Sequence, residues 1–356
     1  MTAPQSALTG QQFEDRVFED TAEGEVIGPV TYGPMTVMHL VRWCAAMENW
    51  HRIHYDFDFC RNHEGLPGPL INGSWKQQAL AQLLKDWAGH TGWLASLKFQ
   101  FRGMDVVGQA LTVQARVTAR EQRGDYGEIR CAVEVTNSSG QATTTGEATV
   151  VLPLRDGLAV PYSFPSAGAD EAVPGPGAGH ELCPPEYRRY IGLTSDVLVT
   201  PEPVDASSVR RFMQAIMASD PDCYDATGPG SHRYGGVVAS PLYPLHALHD
   251  PAGARDPLEA ALGNPGFDGN SQTAWSGFGL PELEGAPKRI LNAGNEIQLH
   301  AYAPLGSRIA VSSTYDDIYQ KAGKSGPLLF VSTLSRYSVH ETGQPLLQSR
   351  QVLILR

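Results

Sequence analysis

The chain has 356 residues, of which 42% are apolar and 18% charged, and a formal charge of −11. That length suffices for two ordinary domains, each with its own core. The acid excess excludes a general nucleic-acid binder, and the absence of any apolar run near membrane-span length argues against a membrane protein.

The N-terminal stretch MTAPQSALTGQQFEDRVFED has neither a basic n-region nor an apolar h-region. No signal peptide is expected, and the location read from it is cytoplasmic. Five cysteines (Cys44, Cys60, Cys131, Cys183 and Cys223) lie scattered with no CxxC pairing, against a disulfide scaffold or a zinc site and in keeping with a reducing compartment. No metal or other cofactor is expected.

The first half opens with a short β segment at 25–32. A helical stretch, MTVMHLVRWCAAMENW, follows, in which Val37, Leu40, Val41, Cys44 and Ala45 make one apolar stripe. Next comes the densest polar cluster of the chain, WHRIHYD at 50–56. A second helix is predicted from Ser74 to about Ala88, with Leu80, Leu83, Leu84 and Trp87 on one face. Four β-like runs complete the half, at 93–101, 110–120, 127–136 and 143–152. In the second of these Leu111, Val113, Ala115 and Val117 alternate with polar residues, as a sheet with one wet face requires.

Composition then shifts. SFPSAGADEAVPGPGAGHELCPP, 163–185, is dense in Pro, Gly and Ala without hydrophobic period and reads as a linker. The plan beyond it repeats the first: a helix at about 206–218, a loop SDPDCYDATGPGSHRYGG, a helix in VVASPLYPLHALHD, an irregular stretch that includes SGFGLPELEG, and β-like runs at 289–302, 307–319, 328–339 and 346–355. Two α+β units of one plan are therefore expected. Each has a long antiparallel sheet wrapped around a central helix, a double hot-dog, with units at 1–162 and 190–356 and the linker at 163–189.

The cluster at 50–56 and the helix-opening glycine in LINGSW resemble the MaoC-like hot-dog hydratases and dehydratases, which include (R)-specific enoyl-CoA hydratases. That family's signature is an acidic residue, a spacer, Asn-Pro-(apolar)-His, and about eighteen residues later a glycine opening the hot-dog helix. Here Asn49 takes the acidic position, His51 and Arg52 the Asn-Pro, Ile53 the apolar position, His54 the histidine and Gly73 the glycine. HRIHYD is similar to the mesaconyl-type branch. The resemblance implies a hydro-lyase acting on an enoyl or 3-hydroxyacyl thioester of CoA or an acyl carrier protein, with a homodimer possible and no nucleic-acid or membrane partner.

On that reading His54 is the general acid/base and the Gly73 amide the oxyanion donor, with Asn49 completing the catalytic set. His51, Tyr55, Asp56 and Trp75 are substrate-contact candidates. A histidine serves as base near neutral pH, and a free amide at a helix N-terminus suits a developing enolate oxygen. Each has a plainer reading: a structural histidine, a turn-capping Asp56, a core Trp75, a glycine that merely starts a helix. Asn49 departs from the signature, because an amide exchanges no proton at neutral pH; a one-residue shift would put Glu48 in the role. In the second half the spacing sets Tyr224 at the histidine position, and tyrosine is a poor base. That half is expected to be catalytically silent and to wall a tunnel for the acyl chain. Lys98, Arg102, Lys288, Arg289 and Arg336 are candidate phosphate contacts if CoA binds. Alternatives from other classes are a specialised biosynthetic dehydratase or cyclase, a hot-dog thioesterase, and a non-catalytic acyl-binding protein.

Overall fold

The structure, a computed structural model, describes residues 15–161, 181–254, 256, 259, 263–269, 279–287, 289–323 and 326–356. Lys288, Trp275 and nearly all of the proline-rich segment lie outside the described residues. Strand β1 (Val26–Tyr32) leads into helix α1 (Val37–Ala46), a 3-10 turn (Arg52–His54) and helix α2 (Gly73–Ala88). Strands β2 (Trp93–Phe101), β3 (Leu111–Arg123), β4 (Tyr126–Asn137) and β5 (Ala142–Pro153) close the first half. The second contains β6 (Leu198–Val199), α3 (Ala206–Ala215), a 3-10 turn (Pro221–Cys223), the short α4 (Pro229–Tyr234), a 3-10 turn (Tyr243–His246), and strands β7 (Ile290–Leu299), β8 (Ile309–Gly323), β9 (Gly326–Val339) and β10 (Pro345–Leu355).

The two sheets join edge to edge. Strand order is β1-β3-β4-β5-β2-β7-β10-β9-β8-β6, with β2 and β7 paired antiparallel through Ser96–Gln298 and Lys98–Glu296. The join consumes one open edge of each half, so neither is left as a template for unwanted strand pairing. In β3 the alternation holds: Leu111, Val113, Ala115 and Val117 are all buried.

Helix α2 is central to the first half and packs against β1 through β5. Its Ala, Leu, Gln and Lys content favours helix, and Gly89 ends it at φ 69°, a conformation a side chain would strain. The predicted face of Leu80, Leu83, Leu84 and Trp87 is buried, but so is the opposite one: Lys76, Gln77, Gln78, Gln82 and Lys85. A helix wrapped on all sides must give its polar groups partners. Lys76 meets Asp105 at 2.8 Å, and that carboxylate also accepts from Asn137 and Thr143. Fully burying Leu80 and Leu84 contributes roughly 1.5–3 kcal/mol each.

Three expectations need correcting. Among the described residues the second half has no long central helix: in VVASPLYPLHALHD only Tyr243–His246 forms a 3-10 turn. Pro241 and Pro244 lack the N–H that a helix ladder needs. In α1 the buried residues are Leu40, Trp43 and Cys44, while Val41 and Ala45 face solvent. The stripe is rotated because Trp43 turns inward, its indole N–H donating to Ser74. Finally, the expected linker is packed at its C-terminal end, where Cys183 and Tyr187 join Tyr190, Ile191, Tyr315, Ile318 and Leu329 in a separate small core.

Candidate active site

The polar cluster is a short scaffold of its own. After α1 the chain turns at Glu48, whose φ is 49°, and the Asn49 amide donates to Cys44 O at 2.9 Å. Asn49 Oδ1 accepts the His51 amide at 3.2 Å. Tyr55 donates its hydroxyl to Trp50 O at 2.6 Å. Asp56 ion-pairs with Arg52 at 2.7 Å and accepts the Phe59 amide at 3.0 Å. Tyr55 and Asp56, read from the sequence as substrate contacts, instead hold the loop: both spend their polar atoms on neighbours a few residues away. Trp75 is likewise a core residue, edge-on to Tyr32 and donating to Ala215 O at 3.1 Å. Glu48 is exposed.

His54 is turned the other way. Its Nδ1 lies 2.9 Å from Leu70 O, and the Leu70 amide donates back to Ile53 O at 2.8 Å. A carbonyl can only accept, so Nδ1 carries the proton and the lone pair is left on Nε2. Burial depresses the pKa of His54 to about 3, against the pull of the Leu70 carbonyl and with a small push from His51. The imidazole is thus neutral at physiological pH. His51 stands edge-on to it, ring centres 5.6 Å apart.

Three residues beyond Leu70, Gly73 opens α2. The Asn72 side chain does not cap the helix; it lies against Cys44 Sγ at 4.0 Å. The amides of Gly73 and Ser74 have no partner among the described residues, so the positive end of the helix dipole is uncommitted. A Cβ at Gly73 would sit 2.8 Å from the Phe101 ring, which explains glycine there by space alone and makes Phe101 a wall of the site. Sequence reasoning passed over Phe101 and Leu70; one is an ordinary strand residue, the other acts through its backbone.

The loop in the second half repeats this backbone with different side chains. Met217 takes the left-handed turn (φ 56°) as Glu48 does, and Ala218 donates to Met213 O as Asn49 does to Cys44. Tyr224 (φ −150°, ψ −17°) superposes in conformation on Tyr55 (φ −149°, ψ −18°). The residue matching His54 is therefore Cys223, not Tyr224; the expectation was one residue off because Asp-Pro-Asp gave no histidine to set the register. Tyr224 is exposed. Val238 donates to Asp222 O as Leu70 does to Ile53, which brings Pro241 to the place of Gly73. Proline has no amide hydrogen to offer.

A cation fills the second loop. Lys85, from the C-terminal part of α2, reaches Asp220 and Asp222 at 2.6 Å each, and Gln82 donates to Asp220 at 3.1 Å. Burial opposes the charge on Lys85, and the two carboxylates overcome it, raising its pKa well above the ordinary range. Burial, then Asp220, lift Asp86 to about 7.

Of the candidate phosphate contacts, Lys98 pairs with Glu296 at 3.3 Å and Arg289 with Glu64, while Arg102 is exposed and Arg336 lies half-buried in β9. Among the described residues no helix is long and apolar enough to cross a membrane.

Residues 12–110 match the family model of hydroxyacyl-thioester dehydratase type 2, and residues 191–347 match that of the FAS1-like dehydratase domain region. No curated protein sequence matches the chain. Its structure is similar to a putative MaoC domain dehydratase from Chloroflexus aurantiacus, with TM-score 0.65, 10% identity, and 98% of this chain and 99% of that one covered. It is also similar to a conserved hypothetical protein from Mycobacterium tuberculosis described as a double hotdog, with TM-score 0.58, 13% identity, and 96% and 98% covered. The fold is a double hot-dog.

Proposed function

We propose that the chain is a hydratase or dehydratase acting on an enoyl or 3-hydroxyacyl thioester, with one working site in its first half. The carrying observation is that Leu70 O fixes the His54 tautomer three residues ahead of the uncommitted Gly73 amide. The dehydratase-domain matches on both halves support the reaction class, and HRIHYD supports the mesaconyl-like branch.

In the hydration direction, His54 Nε2 takes a proton from water as the water oxygen bonds to the β-carbon. The displaced π electrons move onto the thioester oxygen, where the Gly73 amide and the α2 dipole stabilise the enolate. A proton then reaches the α-carbon. Dehydration is the reverse. Asn49 orients His51 through its backbone and transfers no proton itself. The second half, with Cys223 and Pro241 at the matching positions, supplies structure and not a second site. The carrier is CoA or an acyl carrier protein, and the setting cytoplasmic.

Crotonyl-CoA and longer enoyl-CoAs test this reading by loss of the conjugated thioester absorbance. Turnover is expected with the wild type and not with His54→Ala. Saturable binding with no turnover across the panel would favour an acyl-binding protein, the reading that Asn49 in the acidic position recommends.

A further inference from the structure

The first half lacks the carboxylate its own signature calls for, and the nearest acidic residues are committed. Asp56 is held by Arg52 and the Phe59 amide, Glu64 is paired with Arg289, and Glu48 faces solvent. One carboxylate comes from elsewhere. A turn at 264–269, from the irregular stretch before β7, crosses over the loop. Arg52 fixes it three times: its amide donates to Asp268 O at 2.7 Å, and Nη1 donates to Pro265 O at 2.6 Å and Phe267 O at 3.1 Å.

The next residue closes the contact. Gly269, at φ 88°, lies so near the loop that a Cβ would fall 1.9 Å from Trp50 O and 3.2 Å from the His51 Cα. Both the conformation and the space require glycine here. Asn264 stiffens the turn by accepting the Gly266 amide at 3.0 Å. The backbone of the half-buried Asp268 is thereby held against the loop that carries His51, whose ring stands edge-on to His54.

We propose that Asp268 is the positioning carboxylate of this site, supplied by the second half, and that it pairs electrostatically with His51 to make that imidazole the proton donor opposite His54. The inference rests on the hydro-lyase reading for its chemistry but not for the pairing. Burial lowers the pKa of His51, and the charges of Asp268 and then Glu64 act against that, while His54 beside it stays neutral. Burial lowers both imidazoles, and the opposing carboxylate charges act on His51 and not on His54, so His51 is the one the second half's carboxylate favours as proton carrier. In hydration His51, as imidazolium, gives its proton to the α-carbon while His54 Nε2 receives one from water. His54 then releases its proton to solvent and His51 takes one up from it, which restores both rings for the next turnover, and no external oxidant or reductant enters. The departure at Asn49 then has a chemical compensation. The acid arrives from a distant segment on a built turn, which is why the local signature does not contain it.

Asp268→Asn keeps the backbone carbonyl that Arg52 uses and removes only the charge. The first measurement is the titration of ¹⁵N-labelled histidine rings by NMR, with His51 assigned from a His51→Gln variant and no substrate present. The His51 midpoint is expected to fall by about one pH unit in Asp268→Asn. The second is turnover in the hydration direction: kcat falls about 10- to 100-fold with KM little changed, the alkaline limb of the pH profile moves down with the His51 midpoint, and Asp268→Glu restores part of the rate. An unchanged His51 titration overturns the pairing, whatever the substrate. A shifted titration with unchanged kcat overturns the role in turnover. A wild type silent on every thioester is a failure of the hydro-lyase reading, which the titration arm survives.

Discussion

The loops at 47–56 and 216–225 share a backbone and differ in almost every side chain. Both leave a helix through a left-handed residue, both close a 3-10 turn, and both end on a tyrosine in the same conformation. In the first, the turn delivers a histidine to Leu70 O ahead of an open helix end. In the second, it delivers a thiol ahead of a proline, and Lys85 from α2 occupies the two aspartates. The comparison teaches that the repeat preserves a frame, while a handful of atoms decide whether the frame can do proton chemistry. The ions in the second loop join it to α2 of the first half.

The strongest test of that difference is His54→Ala. Loss of a general base costs about 10²- to 10⁴-fold in turnover, with far-UV circular dichroism unchanged. A rate within tenfold of wild type would place the chemistry elsewhere. Next comes Lys85→Ala, which strands two buried carboxylates and is expected to cost about 3–5 kcal/mol in urea unfolding. A smaller loss, below about 1 kcal/mol, would mean that the cluster is hydrated and open, and that the second loop is not plugged.

Both halves are expected to lose stability in acid. His54 is held near 3 in the folded protein by burial and would titrate near 6.5 once unfolded. Below about 6.5 the unfolded chain binds a proton that the folded one refuses, so stability is complete above that pH and falls as the pH drops toward 3. A single histidine contributes a slope of at most about 1.4 kcal/mol per pH unit. His246, lowered by burial to about 4, acts with the same sign. His54→Gln is expected to flatten the stability–pH curve between pH 4 and 6. An unaltered slope would show that His54 is solvated enough to titrate normally.

Much of this was legible beforehand, and the limits have physical causes. Period-2 and period-3.6 patterns found the strands and α2 closely, since burial on a sheet face or around a helix writes itself into residue spacing. That Gly73 opens α2 shortly after the histidine loop could be read because both features are local in sequence. What failed depended on contacts between distant segments. Nothing in KQQALAQLLKDW says that its polar face will be buried, because the partners, Asp105, Asp220 and Asp222, lie far along the chain. The proline-broken helix of the second half was readable from Pro241 and Pro244, but the expectation of a repeat outweighed it. Arg52 and Asp268 were invisible as a unit, being joined by backbone carbonyls that composition does not encode.

The mildest perturbation addresses the second loop directly. Cys223 sits where His54 would, and burial, with Asp220 after it, raises its thiol well above the ordinary range, so it stays protonated and unreactive at neutral pH. Cys223→Ala removes one buried sulfur and should cost about 1 kcal/mol through the small cavity left behind. Turnover is expected to stay within about twofold of wild type, because neither Nε2 of His54 nor the Gly73 amide depends on that sulfur. Iodoacetamide should leave Cys223 unmodified in the folded protein and alkylate it in urea, with the labelled peptide read by mass spectrometry. If Cys223→Ala instead lowered kcat as far as His54→Ala does, with stability nearly unchanged, the two loops would be partners in one reaction, and their difference would be a division of labour instead of a loss.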